Sequence, residues 1–230
     1  MCGICGELRF DDRDVDLITI QNMSREMINR GPDDGGALQI GSHGFGHRRL
    51  KIMDLSDLSQ QPMVDRDLGL SLVFNGAIYN HPELRAELEG LGYKFRSGGD
   101  TEVVLKAYHA WGPQCLSRFK GMFALVIWER DSGRLFVGRD RLGIKPLYYS
   151  HDKQRFRFAS SLPALLKGGE IDTAIDPVAL NYYFSFHAVV PPPHTILQGV
   201  RKVRPGHYMF VEPNGEVQEH RYWQLNFAID

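Results

Sequence analysis

Cys2 stands directly behind Met1, and a residue as small as cysteine in that place is one that methionine aminopeptidase exposes. Removal of Met1 would leave a thiol and a free α-amine on one residue. An ordinary α-amine titrates at about 7.7 to 8.0 and a thiol near about 8.5, so the amine can take the thiol proton directly or through water. The thiolate can then attack a carboxamide carbon, the protonated amine can return its proton to departing ammonia, and water can resolve the thioester. No histidine is needed. Position alone, however, more readily describes a small buried thiol. Cys5, on the same segment but without a free amine, reads as a core thiol, and so does Cys115.

Three further polar sites each carry an ordinary reading. Asn75-Gly76 closes the apolar run Leu70 to Asn75, as strand-to-turn punctuation does. Arg49 lies in His47-Arg48-Arg49-Leu50-Lys51-Ile52-Met53-Asp54, whose alternation predicts a strand with Arg49 as a surface charge. Asp100 precedes Thr101-Glu102 at the start of an apolar-periodic segment, where aspartate is a good helix N-cap.

Read together, Met1-Cys2-Gly3-Ile4, Arg30-Gly31-Pro32-Asp33, Asn75-Gly76, Gly99-Asp100-Thr101-Glu102 and Gly138-Arg139-Asp140 form an ordered set over nearly the whole chain. This set resembles the class II, N-terminal-nucleophile (Ntn) glutamine amidotransferases. His47-Arg48-Arg49-Leu50, Asn75-Gly76-Ala77-Ile78-Tyr79-Asn80 and the stretch from Gly138 to Tyr149 are similar to its asparagine synthetase branch. The resemblance implies an enzyme that hydrolyses L-glutamine to L-glutamate and ammonia through a Cys2 thioester, and passes ammonia to an ATP-dependent synthetase domain. It also implies an α+β fold, the four-layer αββα sandwich of two antiparallel sheets between helices.

The same resemblance assigns roles. Asn75 and Gly76 would form the oxyanion hole, a side-chain amide beside a backbone N–H, each donor worth roughly a few kcal/mol. Arg49 would bind the substrate α-carboxylate in bidentate geometry, with backbone groups of Leu50 and Ile52 lining the pocket. Asp100 would accept from the α-amine, so that Arg49 and Asp100 test both charged ends of a free amino acid. One residue departs from the pattern: Ala77 stands where the branch carries glutamate, which predicts weaker glutamine binding. Asn75-Gly76-Ala77 with His187-Ala188-Val189-Val190-Pro191 is most similar to the subgroup that amidates N-acetylglutaminylglutamine. Two competing functions are a regulatory glutamine-binding module with the same fold, which Ala77 favours, and an Ntn amidohydrolase for another amide, against which Arg49 with Asp100 argues. Arg139-Asp140 and Tyr148-Tyr149 read as fold-forming contacts outside the active site.

The elements that must position these groups follow from periodicity. Leu17, Ile20, Met23, Met27 and Ile28 predict a helix over 14–29 that ends at Arg30-Gly31-Pro32-Asp33, followed by a polar, glycine-rich loop. Asn80-His81-Pro82-Glu83 starts a second helix running to Gly92, and Asp100 a third running to Trp111. Strands are predicted over 70–75, 122–128, 134–139, 146–149, 155–160 and 207–211. Turn residues between them, such as Asp131-Ser132-Gly133 and Pro213-Asn214-Gly215, predict antiparallel hairpins. Pro191-Pro192-Pro193 is a stiff extended spacer.

Composition bounds the rest. At 230 residues one domain over 1–230 is expected, with a C-terminal tail over about 212–230 leading toward a synthetase domain. Lys plus Arg number 27 against 28 Asp plus Glu with no basic cluster, which argues against nucleic acid; no apolar run is long enough for a membrane span. The first residues lack a signal-peptide pattern, and three cysteines leave one unpaired in any disulfide scheme, so cytoplasm and free thiols are expected. No HxxxH or CxxC spacing supports a metal site. The synthetase pyrophosphate loop has no counterpart here, Ser97-Gly98-Gly99-Asp100 being only superficially similar, so ATP and magnesium are assigned to the synthetase domain and no cofactor to this one. The expected partners are L-glutamine and a synthetase domain in cis or in trans, with a homodimer compatible with either.

Overall fold

Successive residues of a strand point to opposite faces, and here both faces are apolar. In β5 (Leu70–Ile78), Val73 joins a cluster with Ile4, Phe45 and Phe158, whereas Leu72 and Phe74 join another with Leu84, Leu88, Val103 and Val104. The same split recurs in β6 (Gly121–Glu129), with Val126 on one side and Leu125 and Ile127 on the other. Strands buried on both faces need cover on both, which makes the architecture layered.

The computed structural model describes residues 1–227. One sheet runs, in spatial order, β10 (Arg201–Lys202), β8 (Tyr148–His151), β9 (Arg155–Ala159), β1 (Gly3–Arg9), β3 (His43–Arg49) and β2 (Asp34–Ile40). The other runs β12 (Val217–Arg221), β11 (His207–Val211), β7 (Leu135–Arg139), β6, β5 and β4 (Met63–Asp65). Every paired strand is antiparallel to its neighbour. Helices α1 (Leu17–Arg25) and α5 (Leu162–Leu166) cover the outer face of the first sheet through Ile20, Met23, Ala164 and Leu165. Helices α2 (His81–Gly90) and α3 (Asp100–Trp111) cover the second. Helices α4 (Cys115–Arg118) and α6 (Pro177–Ser185) complete the set among the described residues. This is the expected four-layer αββα sandwich.

Several elements depart from expectation. The helix predicted over 14–29 begins at Leu17, where the Asp16 carboxylate caps the N–H groups of Ile18 and Thr19 at 3.1 Å each, and ends at Arg25. The glycine-rich segment after it is not a loop but includes the β2–β3 hairpin. Its glycines answer to packing: a Cβ at Gly46 would stand 2.7 Å from the Cys5 sulfur and 3.1 Å from Ile20, so glycine lets α1 lie close against the sheet. The strand predicted over 47–54 stops at Arg49. Within the segment 212–230, Val217–Arg221 pair with β11 at the edge of the second sheet, 222–227 follow that strand, and 228–230 lie outside the described residues. Among the described residues no helix is long and apolar enough to cross a membrane.

An ion pair between Glu7 on β1 and Arg157 on β9 lies inside this sandwich, both residues 2% exposed, with Arg157 Nε donating to Glu7 Oε2 at 2.6 Å.

Candidate active site

The antiparallel pairing of β1 with β3 sets Gly3 opposite Arg48, so the residue before β1 and the residue after β3 emerge together. Those residues are Cys2 and Leu50. The Leu50 N–H donates to Cys2 Sγ at 3.4 Å, and Sγ also lies 3.7 Å from the Leu50 carbonyl oxygen. The Arg30 guanidinium, from the turn after α1, donates from Nε to the Cys2 carbonyl at 3.2 Å and fixes the backbone.

β5 of the facing sheet brings Asn75 and Gly76. The pair does not punctuate a turn, as its local sequence suggested: β5 continues to Ile78, with Asn75 opposite Ala124 and Gly76 opposite Phe123. A Cβ at Gly76 would stand 2.5 Å from the Met122 carbonyl oxygen, so glycine is required by strand packing as well. Asn75 is 1% exposed, and among the described residues its Nδ2 has no hydrogen-bond partner. Unpartnered buried donors are rare and cost about 1–3 kcal/mol, which marks a group kept for something absent from the apo site.

Arg49 is buried, contrary to its reading as a surface charge. As the last residue of β3 it donates from Nη1 to the Ser56 carbonyl at 2.8 Å and from Nη2 to the Asp54 carbonyl at 2.6 Å. It thereby organises the loop 50–56 that replaces the expected strand. Asp100 is also buried, and it is not the helix cap: Gly99 occupies that position, and Asp100 Oδ2 instead accepts from the Ile78 N–H at 2.9 Å, joining α3 to the end of β5. Burial pushes its carboxyl upward, while the Ile78 N–H pulls it back.

A cleft of about 330 Å³ contains all seven residues expected to act: Cys2, Arg49, Leu50, Ile52, Asn75, Gly76 and Asp100. Ile52 is 70% exposed at the rim, so only its backbone suits a pocket role. Ala77 lines the same cleft. Sequence reasoning missed Gln61, whose Oε1 accepts from the Phe74 N–H at 2.6 Å and whose Nε2 donates to Thr101 Oγ1 at 3.4 Å, stitching β5 to α3 behind the cleft. It also missed Lys145, which lines the cleft from a motif set aside as fold-forming. Cys5 and Cys115 are buried free thiols, and burial pushes both upward and out of the reactive range. Among the described residues no three His, Cys, Asp or Glu side chains are grouped to hold a metal ion.

Comparison with known proteins agrees with this geometry. The model of the glutamine amidotransferase domain family matches residues 1–223. Asparagine synthetase [glutamine-hydrolyzing] 1 of Bacillus subtilis is 39% identical over 208 residues, covering 90% of this chain and 32% of that protein. A putative asparagine synthetase of Methanocaldococcus jannaschii is 35% identical over 98% of this chain and 47% of its own length. The chain thus spans about a third to a half of these relatives. Among solved structures, the glutamine phosphoribosylpyrophosphate amidotransferase of B. subtilis superposes with a TM-score of 0.69 at 18% identity, over 97% of this chain and 50% of that one, a likeness of fold. By the family match and this arrangement of residues, the chain belongs to the glutamine amidotransferase domain family.

Proposed function

We propose that this chain hydrolyses L-glutamine to L-glutamate and ammonia through a thioester at Cys2, and that the ammonia feeds an ATP-dependent, asparagine synthetase-like amidation by a synthetase domain in cis or in trans. The observation that carries the reading is the Asn75 Nδ2 group, buried without a partner in the cleft that holds Cys2 Sγ.

The steps balance on the chain's own groups. With Met1 removed, the Cys2 α-amine takes the thiol proton and the sulfur attacks the carboxamide carbon, while the carbonyl π electrons move to oxygen. Asn75 Nδ2 and the Gly76 N–H receive that oxyanion, and Leu50 N–H supports the sulfur. The α-ammonium then protonates the amide nitrogen, the C–N bond breaks, and ammonia leaves a thioester. Water adds with its proton taken by the amine, the C–S bond breaks, and glutamate and thiol are restored. Arg49 and Asp100 hold the substrate's α-carboxylate and α-ammonium. Ala77 favours a second reading, a glutamine-binding module with little turnover.

Incubation with glutamine and, separately, with 6-diazo-5-oxo-norleucine tests the proposal. Glutamate release and a mass adduct on Cys2 are expected. Binding of glutamine with neither turnover nor adduct would leave the module, and absence of all three would remove both.

A further inference from the structure

The turn between β7 and β8 is braced far beyond what a connector needs. The Asp140 carboxylate accepts from the backbone N–H groups of Phe123 and Leu142 at 3.2 Å and of Ile144 and Lys145 at 2.9 Å. The Arg139 guanidinium donates to the carbonyls of Lys145 and Gly143 at 2.8 Å and of Val203 at 2.5 Å. Both peptide groups of Lys145 are thus held. Its side chain leaves this frame and lines the Cys2 cleft. Lys145 is 5% exposed, yet among the described residues its ammonium has neither a hydrogen-bond acceptor nor a carboxylate at ion-pair distance. A cation in that position is costly unless an anion meets it.

We infer that Lys145 is a positioning residue of this site, whose ammonium faces the Cys2 sulfur across the cleft and favours the negative charge that forms there when the thiol gives up its proton. The other charged or titratable groups lining the cleft are Arg49, Asp54, Asp100 and Tyr79, and Arg30 and Asp140 act on Lys145 from outside that lining. Asp54 is occupied by the N–H groups of Ser56 and Gly98 and the Ser59 hydroxyl, and Asp100 by Ile78. Arg49 is committed to two carbonyls, and Arg30 to the Cys2 carbonyl. Lys145 is the cation of the cleft lining that, among the described residues, has no hydrogen-bond acceptor, while Arg30, bound to the Cys2 carbonyl, also keeps Nη2 buried without a partner. Burial pushes its ammonium downward, and the nearby Cys2 thiol opposes that shift. No proton leaves Lys145, and no bond to it forms.

The inference rests on Cys2 as the nucleophile. Turnover by the unsubstituted protein tests that separately, whereas alkylation reads the sulfur whether or not glutamine is hydrolysed. The experiment uses the full chain with Met1 removed, verified by mass, and follows iodoacetamide labelling of Cys2 across about pH 5 to 9. Lys145→Met should slow labelling about tenfold at neutral pH and move the profile to higher pH, and Lys145→Arg should restore it. Cys5 and Cys115, both buried, serve as unlabelled references. Superposable profiles for Lys145→Met and the unsubstituted protein would overturn the inference, even with reduced turnover. Should Lys145→Met fail to fold, as a thermal melt would show, Lys145→Gln is read by the same criterion.

Discussion

The amide of Leu50 points at the sulfur of Cys2 from 3.4 Å, joining the residue that follows β3 to the one that precedes β1. The contact is a product of register. Because Gly3 faces Arg48 across an antiparallel pair, a two-residue slip would take Leu50 away and leave the sulfur without this donor.

Cys2→Ala removes the nucleophile and little packing, since Cys2 is only partly buried. Glutamate release should fall to background with an unchanged melting temperature. A variant that still released glutamate would place the chemistry on another group.

Asn75→Ala takes away a donor that has no partner in the free protein. The proposed role predicts a loss in kcat of about 10²–10³ with KM nearly constant, because the contact forms only as negative charge develops on oxygen. A rise in KM at constant kcat would show that Asn75 binds ground-state substrate instead.

Ala77→Glu adds a carboxylate to the cleft. It should lower KM for glutamine with kcat less affected, through a further acceptor for the α-ammonium. Steady-state kinetics of the two proteins decide the point, and an unchanged KM would exclude Ala77 as a cause of weak binding.

Arg157→Met takes from the Glu7 carboxylate its closer buried partner and leaves it Arg9, whose Nη1 is 3.4 Å away. Breaking a buried pair from one side costs about 3–5 kcal/mol where no other cation remains, so with Arg9 still in reach chemical denaturation should show a loss below that range. The double change Glu7→Leu with Arg157→Met should recover part of it, and failure of any recovery would argue against a stranded charge as the cause.

His43 and His47 face the interior from β3, and His43 stacks on Trp128 with centroids 3.7 Å apart. Burial pushes His43 down to about 4 and His47 down to about 3. The unfolded chain therefore binds more protons than the native one below the ordinary histidine range, and stability falls as pH drops from about 6.5 toward 4, by up to about 1.4 kcal/mol per pH unit per histidine. His43→Phe should flatten the dependence of melting temperature on pH across that interval; an unaltered slope would assign acid sensitivity to carboxylates alone.

Much of the fold was legible because its evidence is local. The apolar runs behind β5, β6 and β7 announce strands, and the turn residues between strands announce antiparallel pairing. The first sheet was harder to read. Glycines at 44 and 46 of β3 look like a loop in isolation, and they are strand residues because α1 presses on them, a demand that appears only when the helix is in place. Asn75-Gly76 misled for a similar reason: a turn pair by type, it is held in the strand by β6. Lys145 carried no local mark. Its unanswered charge exists only because the turn around it is buried and its side chain enters a cleft built from distant segments.

The sequence by itself supplied the candidate groups: a cysteine whose amine can become free, an amide and glycine pair, an arginine, and an acid at the start of a helix. Those are properties of residue type and chain position. The tertiary structure alone decided that they share one cleft, that Asn75 keeps an unpaired donor there, that Arg49 and Asp100 are buried, and that Leu50 reaches the sulfur. The reason is physical: convergence depends on strand register and on the packing of two sheets face to face, and both arise from contacts between residues far apart in the chain.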